Sequence, residues 1–328
     1  MTKKLKLGFV LDPPEKIKCL EDTSFYIMKE AYERGHEVFY IDSRHIYAQG
    51  ANILALAETV SVDFNDGFKK SKGFDGFDIS QLDLLFIRKD PPFDAHYLYL
   101  TYLLEHLKGK VPMLNDPVGI RNANEKLYIL NFPEWIPETC VASSLSVLRS
   151  FVNKAGDVVL KPLNERGGIG ITRTRRHDAD QEKVISGMLS QYGTVMAQKF
   201  LPQVQDEGDM RVLVLNGEIL GCYARIPPRG DFRVSVVRDG RYEKRIPGDR
   251  EREIAKNLAP RFLADGLYFV GLDLIGGLIS EINVTSPAGI PEINHFAGEQ
   301  LEKKVVDSLE QIAYTKATFC QPKSHNLI

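Results

Sequence analysis

Residues 268–287, YFVGLDLIGGLISEINVTSP, carry three oxygen-bearing side chains, Asp273, Glu281 and Asn283, on two β-rich arms around Gly276 and Gly277. Glu281 and Asn283 are two apart, so a strand points both to one face. Whether Asp273 joins them depends on the turn. A tight two-residue Gly276-Gly277 loop pairs Asp273 with Ser280 and sends Glu281 to the opposite face. A three-residue loop, or one bulge, restores the parity and gathers all three side chains. Three oxygens on a rigid hairpin suit a hard cation such as Mg²⁺ that carries phosphate oxygens. The plain alternative is a hairpin with one wet face.

Other segments favour the first reading. KPLNERGGIGIT holds Gly167, Gly168 and Gly170 but matches neither GxGxxG nor a P-loop, since no GK[ST] follows to open a helix. It reads as a glycine hairpin between two strands, able to lie over a triphosphate and offer backbone N–H groups. Lys161, on the strand before it, and Lys126, in NEKL on a short surface helix, are candidate phosphate cations. Arg211 and Arg225 sit on strands of a hairpin over 209–227, and Arg233 in the polar segment beyond. An arginine facing the core side of a sheet needs an anion, supplied either by protein carboxylates or by a ligand's phosphate and carboxylate. Asp209 shares the face of Arg211 and could position that arginine or touch a metal. Together these residues point to phosphoryl transfer from ATP.

The elements that must hold them form an α/β pattern. KLGFVLD (6–12), HEVFYID (36–42), LDLLFIRKD (82–90) and VPMLND (111–116) read as strands. Thr23 or Ser24 caps a helix running to Gly35, and a second helix covers 95–108. Strands alternating with helices predict a parallel sheet. Within 43–80, DGFKKSKGFDGFD (66–78) reads as an exposed loop. A short helix follows at 124–130, then strands at 157–163 and 171–175, a helix at 180–191 and a strand at 194–201. The 209–227 hairpin turns at Asn216-Gly217, with a polar, arginine-bearing stretch over 228–250 after it. Helices at 250–264 and 298–314 flank the hairpin around Gly276-Gly277, and the last dozen residues read as a loose tail.

Bulk properties narrow the partners. The chain has 328 residues, enough for two or three domains with ample core. A net charge of −2 gives no polyanion footprint, so nucleic acid is not expected as a partner. Cys19, Cys140, Cys222 and Cys320 are far apart and form no CxxC pair, which argues against a zinc site or a disulfide framework and fits a reducing compartment. No apolar run reaches the roughly 18 residues of a membrane span, and the MTKKLKLGFVLDPP start lacks a signal-peptide cleavage site. The cytoplasm is the expected location.

Over about residues 5–314 the chain resembles the bacterial glutathione synthetases of the ATP-grasp superfamily. The resemblance rests on RKDPPFD (88–94), NEKL (124–127), LKPL with Gly167-Gly168, QKFLP (198–202), DMRVLVLNGE (209–218), ARIP (224–227) and VGLDLIGGLISEINVTSP (270–287). It implies an ATP-grasp fold with a parallel α/β domain over 1–122, a lid subdomain over 123–200, an antiparallel catalytic domain over 201–316 and a tail over 317–328. It implies that Lys126, Lys161 and the 166–170 loop, with Gly167, Gly168 and Gly170, contact the nucleotide phosphates. Gln198, Lys199 and Leu201 would line the adenine site, with Asp209 also on the nucleotide side. Asp273, Glu281 and Asn283 would hold Mg²⁺, with Mn²⁺ as second choice. Arg211, Arg225 and Arg233 would steady the transferred phosphoryl group and the reacting carboxylate. Thr285 and Ser286 would bind the acceptor, and Asp12 and Ser24, in LDP and DTSF, would contact substrate.

The implied reaction joins γ-glutamylcysteine to glycine through an acyl phosphate, giving glutathione, ADP and phosphate. The implied assembly is a homo-oligomer, a tetramer in this family. Three places depart from the family pattern. FRVSVVRDGR has Val234 and Ser235 where glycine and asparagine are expected, NERGG lacks an aspartate and one glycine, and Pro291 precedes Glu292 where arginine is usual. These changes touch the loops and the acceptor more than the ATP site. They keep open a ligase for another acid and amine; a catalytically silent nucleotide-binding regulator is the alternative of a different class.

Overall fold

A computed structural model describes residues 3–65, 67–234 and 241–319. Ser235 and most of the expected tail lie outside the described residues.

The first unit opens with β1 (Lys6–Leu11), α1 (Thr23–Glu33), β2 (Glu37–Gln49), β3 (Asn52–Asp63), β4 (Gly67–Asp78) and β5 (Leu84–Ile87). It closes with α2 (Ala95–Glu105), β6 (Met113–Leu114) and α3 (Pro117–Asn122). Its sheet has the order β4-β3-β2-β1-β5-β6. β1 pairs in parallel with β2 and β5, and β5 in parallel with β6, as expected of strands separated by helices. Leu7, Phe9 and Leu11 enter one core and Val10 the core on the other face. Burial on both faces is why these strands read as unbroken apolar runs.

The 66–78 expectation is corrected: from Gly67 the segment is β4, the antiparallel edge strand paired with β3. Its polar, lysine-bearing sequence resembles a loop because the exposed run over 69–73 separates Phe68 from Phe74 and Phe77 and breaks the period-2 signal, and charge there discourages edge-to-edge association. The cap of α1 is also corrected. Asp22, not Thr23 or Ser24, accepts from the Phe25 N–H at 2.9 Å, which leaves both hydroxyls for distant segments.

The second unit contains β7 (Thr139–Ala142), α4 (Leu145–Ala155), β8 (Asp157–Pro162), β9 (Thr172–Arg175), α5 (Gln181–Tyr192) and β10 (Val195–Lys199). Its sheet runs β7-β10-β8-β9, all antiparallel, with α4 and α5 covering one face through Leu148, Val152, Ile185 and Met188. The third unit has β11 (Asp209–Leu215), β12 (Glu218–Ile226), β13 (Arg241–Lys244), α6 (Asp249–Ala264), β14 (Phe269–Ile275), β15 (Leu278–Asn283), α7 (Ile290–Ala297) and α8 (Leu301–Phe319). Its antiparallel sheet has the order β13-β12-β11-β14-β15. α6 packs on one face through Ile254, Leu258 and Phe262.

Two clamps join the first unit to the third. The buried Asn115 side chain donates to the carbonyls of Phe269 and Val284 at 2.9 and 2.8 Å. It accepts from the N–H groups of Tyr268 and Phe269 at 2.7 and 2.8 Å. Arg34, the C-cap of α1, meets Asp307 and Glu310 of α8 at 2.6 and 3.3 Å. Among the described residues no helix is long and apolar enough to cross a membrane.

Candidate active site

The β14/β15 hairpin turns on a two-residue loop. Ile275 pairs with Leu278 and Leu274 with Ile279, and Gly276 and Gly277 have φ of +54° and +72°. Two consecutive left-handed residues make a turn whose twist matches a hairpin, and glycine adopts them without a Cβ clash. The register then shifts, so Asp273 faces Glu281 and Gly271 faces Asn283. Ser280 is the extra residue, and its hydroxyl donates to the Asp273 carbonyl at 3.2 Å. Of the two routes to a shared face, the molecule uses the bulge. Asn283 Nδ2 donates to Asp273 Oδ2 at 3.2 Å, and Glu281 lines the same cavity as both.

A row of buried charges continues across the sheet. Arg211 lies beside Asp273 on the neighbouring strand and grips it with two bonds, Nε to Oδ1 at 2.5 Å and Nη2 to Oδ2 at 3.0 Å. Arg225 Nη2 stands 2.9 Å from Asp273 Oδ2 and 2.7 Å from Asp209 Oδ2. Asp209 therefore positions Arg225, its cross-strand partner, and not Arg211 as its spacing suggested. Burial works against the Asp273 charge, yet Arg211 and Arg225 hold its carboxyl well below the usual range. Burial pushes the Asp209 carboxyl up to about 6 against the pull of Arg225.

Both lysines come from outside this sheet. Lys161, on β8, reaches Gln198 Oε1 at 2.9 Å and the Ser280 carbonyl at 3.4 Å, and burial pushes its ammonium down. Lys126 is not on a surface helix. Residues 124–127 form a turn leading into a short 3₁₀ helix, and the lysine is 2% exposed. The N–H of Ile282 donates to the Glu125 carbonyl at 2.9 Å, which lays this turn along β15. Lys126 Nζ bonds the Glu125 carboxylate and the Glu165 carbonyl and stands 3.7 Å from Glu281. Burial opposes its charge, but Glu281 and Glu125 hold its pKa above the ordinary value. Burial also raises the Glu125 carboxyl.

These groups surround a cavity of about 330 Å³. Its polar lining includes Lys161, Gln198, Asp209, Arg211, Arg225, Asp273, Glu281 and Asn283, with Thr285 and Ser286 beyond the hairpin. Lys199, Leu201, Gly167, Gly168 and Arg233 line it as well. Arg233 is engaged locally by Asp231, Nη2 to Oδ2 at 2.9 Å. Four expected residues stand outside the lining: Asp12, Ser24, Lys126 and Gly170. Asp12 accepts from the Asp90 N–H at 2.8 Å, and buried Ser24 accepts from Arg88 Nε at 2.9 Å. Gly170 is needed for packing, since a Cβ there would meet the Tyr192 hydroxyl at 2.5 Å and Pro162 at 2.7 Å. Of the base-reading groups, the Lys199 N–H already donates to the Glu138 carbonyl, whereas the Leu201 N–H has no partner among the described residues.

Sequence reasoning missed several contributors. Val159, Phe200, Val204 and Ile275 form an apolar flank of the cavity. Arg88 Nη2 donates to the Pro287 carbonyl at 3.0 Å, and Thr23 Oγ1 accepts from the Gly289 and Ile290 N–H groups at 3.1 and 3.2 Å. Those two residues hold the Ser286–Ala288 wall in place. Arg88 was visible only as the first letter of RKDPPFD. Its role depends on a contact spanning 199 residues, for which no local pattern exists.

Comparison with known proteins agrees with this geometry. The model of the prokaryotic glutathione synthetase N-terminal domain matches residues 5–121, and that of its ATP-grasp domain residues 125–298. The chain belongs to the prokaryotic glutathione synthetase family. The glutathione synthetase of Vibrio cholerae serotype O1 is 38% identical over 94% of this chain and 98% of its own. That of Escherichia coli O127:H6 is 38% identical over 93% of this chain and 98% of its own. Among solved structures, the ATP-grasp ligase PsnB complexed with minimal precursor superposes with a TM-score of 0.63 at 18% identity, over 94% of this chain and 99% of that one. The chain therefore has an ATP-grasp fold and is an ATP-dependent ligase.

Proteins of this fold typically pair ATP with a divalent metal, and the residues present fit one. Among the described residues no three His, Cys, Asp or Glu side chains group as a metal cage. Two carboxylates and an amide oxygen on one wall are the kind of partial set Mg²⁺ accepts when phosphate oxygens and waters complete its shell. Glu281 and Asn283 are the less encumbered donors, because both Asp273 oxygens are held by arginines.

Proposed function

We propose that this enzyme joins γ-glutamylcysteine to glycine, using Mg-ATP, to form glutathione. The observation that carries the reading is the meeting of eight buried or half-buried charges from the second and third units: Glu125, Lys126, Lys161, Asp209, Arg211, Arg225, Asp273 and Glu281. Four are acids and four are bases, so the site is formally neutral, and a triphosphate entering it must bring countercharge. Glu281, Asn283 and Asp273 would hold that cation, which supplies charge neutralisation at the phosphates.

The protein's own groups account for the rest. Lys161 and the N–H groups around Gly167 and Gly168 hold the phosphates, and Lys126, just outside the lining, adds positive charge behind Glu125 and Glu281. Arg211, Arg225 and Arg233 orient the dipeptide carboxylate and the group transferred to it. The carboxylate oxygen attacks the γ-phosphorus and ADP leaves. The glycine amine then attacks the acyl carbon, loses a proton and expels phosphate. Thr285 and Ser286 bind the acceptor on a wall fixed by Arg88 and Thr23. Enclosure of the cavity by the glycine loop keeps water from the acyl phosphate.

The same reading divides the chain into a substrate-binding unit over 1–122, a lid over 123–200 and a catalytic unit over 201–316, working as a cytoplasmic homo-oligomer. Pro291 opens α7 beside the acceptor wall where the family has arginine, which favours one second reading, a ligase with another amine. Incubation with Mg-ATP, γ-glutamylcysteine and a panel of amino acids, with ADP release and product mass measured, decides between them. Glutathione from glycine is expected; a product only with another amine would replace the main reading.

A further inference from the structure

The cavity has a charged floor and an apolar flank, and part of that flank comes from a segment outside every sheet. Asp231 Oδ1 accepts from the N–H groups of Phe232 and Arg233 at 2.8 and 3.0 Å, and Oδ2 accepts from Arg233 Nη2 at 2.9 Å. This local knot sets the direction of Phe232. Its ring meets Phe200 edge to face, centroids 5.7 Å apart and planes at 89°. Phe200 itself is held from a second strand, with the Arg173 guanidinium 3.5 Å from its ring centroid. Phe232 and Val159 line the same cavity, so the ring is partly open to whatever enters there. A ring whose only task was packing would be closed off in one core; this half-buried one borders the space between two sheets.

We infer that Phe232 is a wall of the slot that takes the nucleotide base. The inference rests on the reading of Gln198–Leu201 as the base site, and it adds a contact from the 228–234 segment to that reading. A purine offers two apolar faces and a polar edge. The Leu201 N–H, which has no partner among the described residues, suits the edge, and Phe232 with Phe200 and Val159 suits the faces. Tripolyphosphate has no such faces and meets only the charged floor.

The test is calorimetric titration of the full chain with Mg²⁺ present, using ADP and inorganic tripolyphosphate on the native protein, Phe232→Ala and Phe232→Tyr. Loss of an aromatic partner for a base costs on the order of tenfold in affinity. Phe232→Ala should bind ADP roughly tenfold more weakly, Phe232→Tyr within about twofold of native, and tripolyphosphate equally to all three. Unchanged ADP binding by Phe232→Ala overturns the inference while leaving the base-site reading intact. Equal weakening of both ligands overturns it in favour of a purely structural ring, and tighter ADP binding overturns it by making the ring a filler of the slot. Native protein that binds tripolyphosphate as tightly as ADP removes the base-site reading and the inference with it.

Discussion

Asp273 and Glu281 face each other across one hairpin, yet their substitutions should behave differently. Asp273 is 3% exposed and compensates Arg211 and Arg225. Removing one member of a buried ion network strands the others, at a cost of about 3–5 kcal/mol. Among the described residues Glu281 has one ion pair, 3.7 Å from Lys126, and its side chain is 19% exposed. Glu281→Gln should therefore keep its unfolding free energy within about 1 kcal/mol of native while ligation falls on the order of 10²–10³-fold. Asp273→Asn should lose both, and urea unfolding beside a ligation assay separates the two patterns. Asp209 gives a pH signature. Its folded pKa near 6 lies above the unfolded value, so its contribution to stability is present below about 4 and lost as pH rises through about 6. Asp209→Asn abolishes that loss. The native-minus-variant difference in unfolding free energy should fall between pH 4.5 and pH 7, and a constant difference would contradict the assignment. The residues of this network were legible because charge on a predicted strand is conspicuous. Their pairing was not, since Asp209 chooses Arg225 through cross-strand register rather than through its i+2 neighbour.

Elements reveal their type in sequence more readily than their edges. Parity alone narrowed the Gly276-Gly277 hairpin to an odd loop or a bulge, because the side-chain period of a strand is fixed. Which of the two occurs depends on Ser280, whose hydroxyl bonds the Asp273 carbonyl across the bulge. β4 was hidden because the exposed run over 69–73 interrupts its apolar positions, and the 139–155 strand and helix were not read although α4 is as long as α1. The glycine loop also splits by position. Gly167 and Gly170 both have positive φ, but only Gly170 presses on Tyr192 and Pro162. Gly167→Ala should cost about 1–2 kcal/mol through backbone strain alone. Gly170→Ala should cost more, since overpacking adds about 1–3 kcal/mol to the same strain. Thermal unfolding of the two variants ranks them, and equal melting temperatures would contradict the packing role.

At the scale of the whole molecule the site exists only because three units meet. Asn115 is one buried side chain with four hydrogen bonds to the backbone of Tyr268, Phe269 and Val284, on and beside the β14/β15 hairpin. Asn115→Leu leaves buried N–H and C=O groups unsatisfied and should destabilise the protein by about 3–5 kcal/mol. Chemical denaturation measures this; a loss below about 1 kcal/mol would show that the hairpin is docked by other contacts. Nothing in the ND dipeptide at 115–116 announced that role, because its partners lie more than 150 residues away. The central claim is that this assembled cavity activates a carboxylate by phosphorylation before an amine attacks it. The most direct measurement uses γ-glutamylcysteine labelled with ¹⁸O in its cysteinyl carboxylate, with Mg-ATP and glycine, and determines the mass of the released phosphate. An acyl-phosphate route predicts one ¹⁸O in each phosphate formed with glutathione; unlabelled phosphate accompanying glutathione would contradict it.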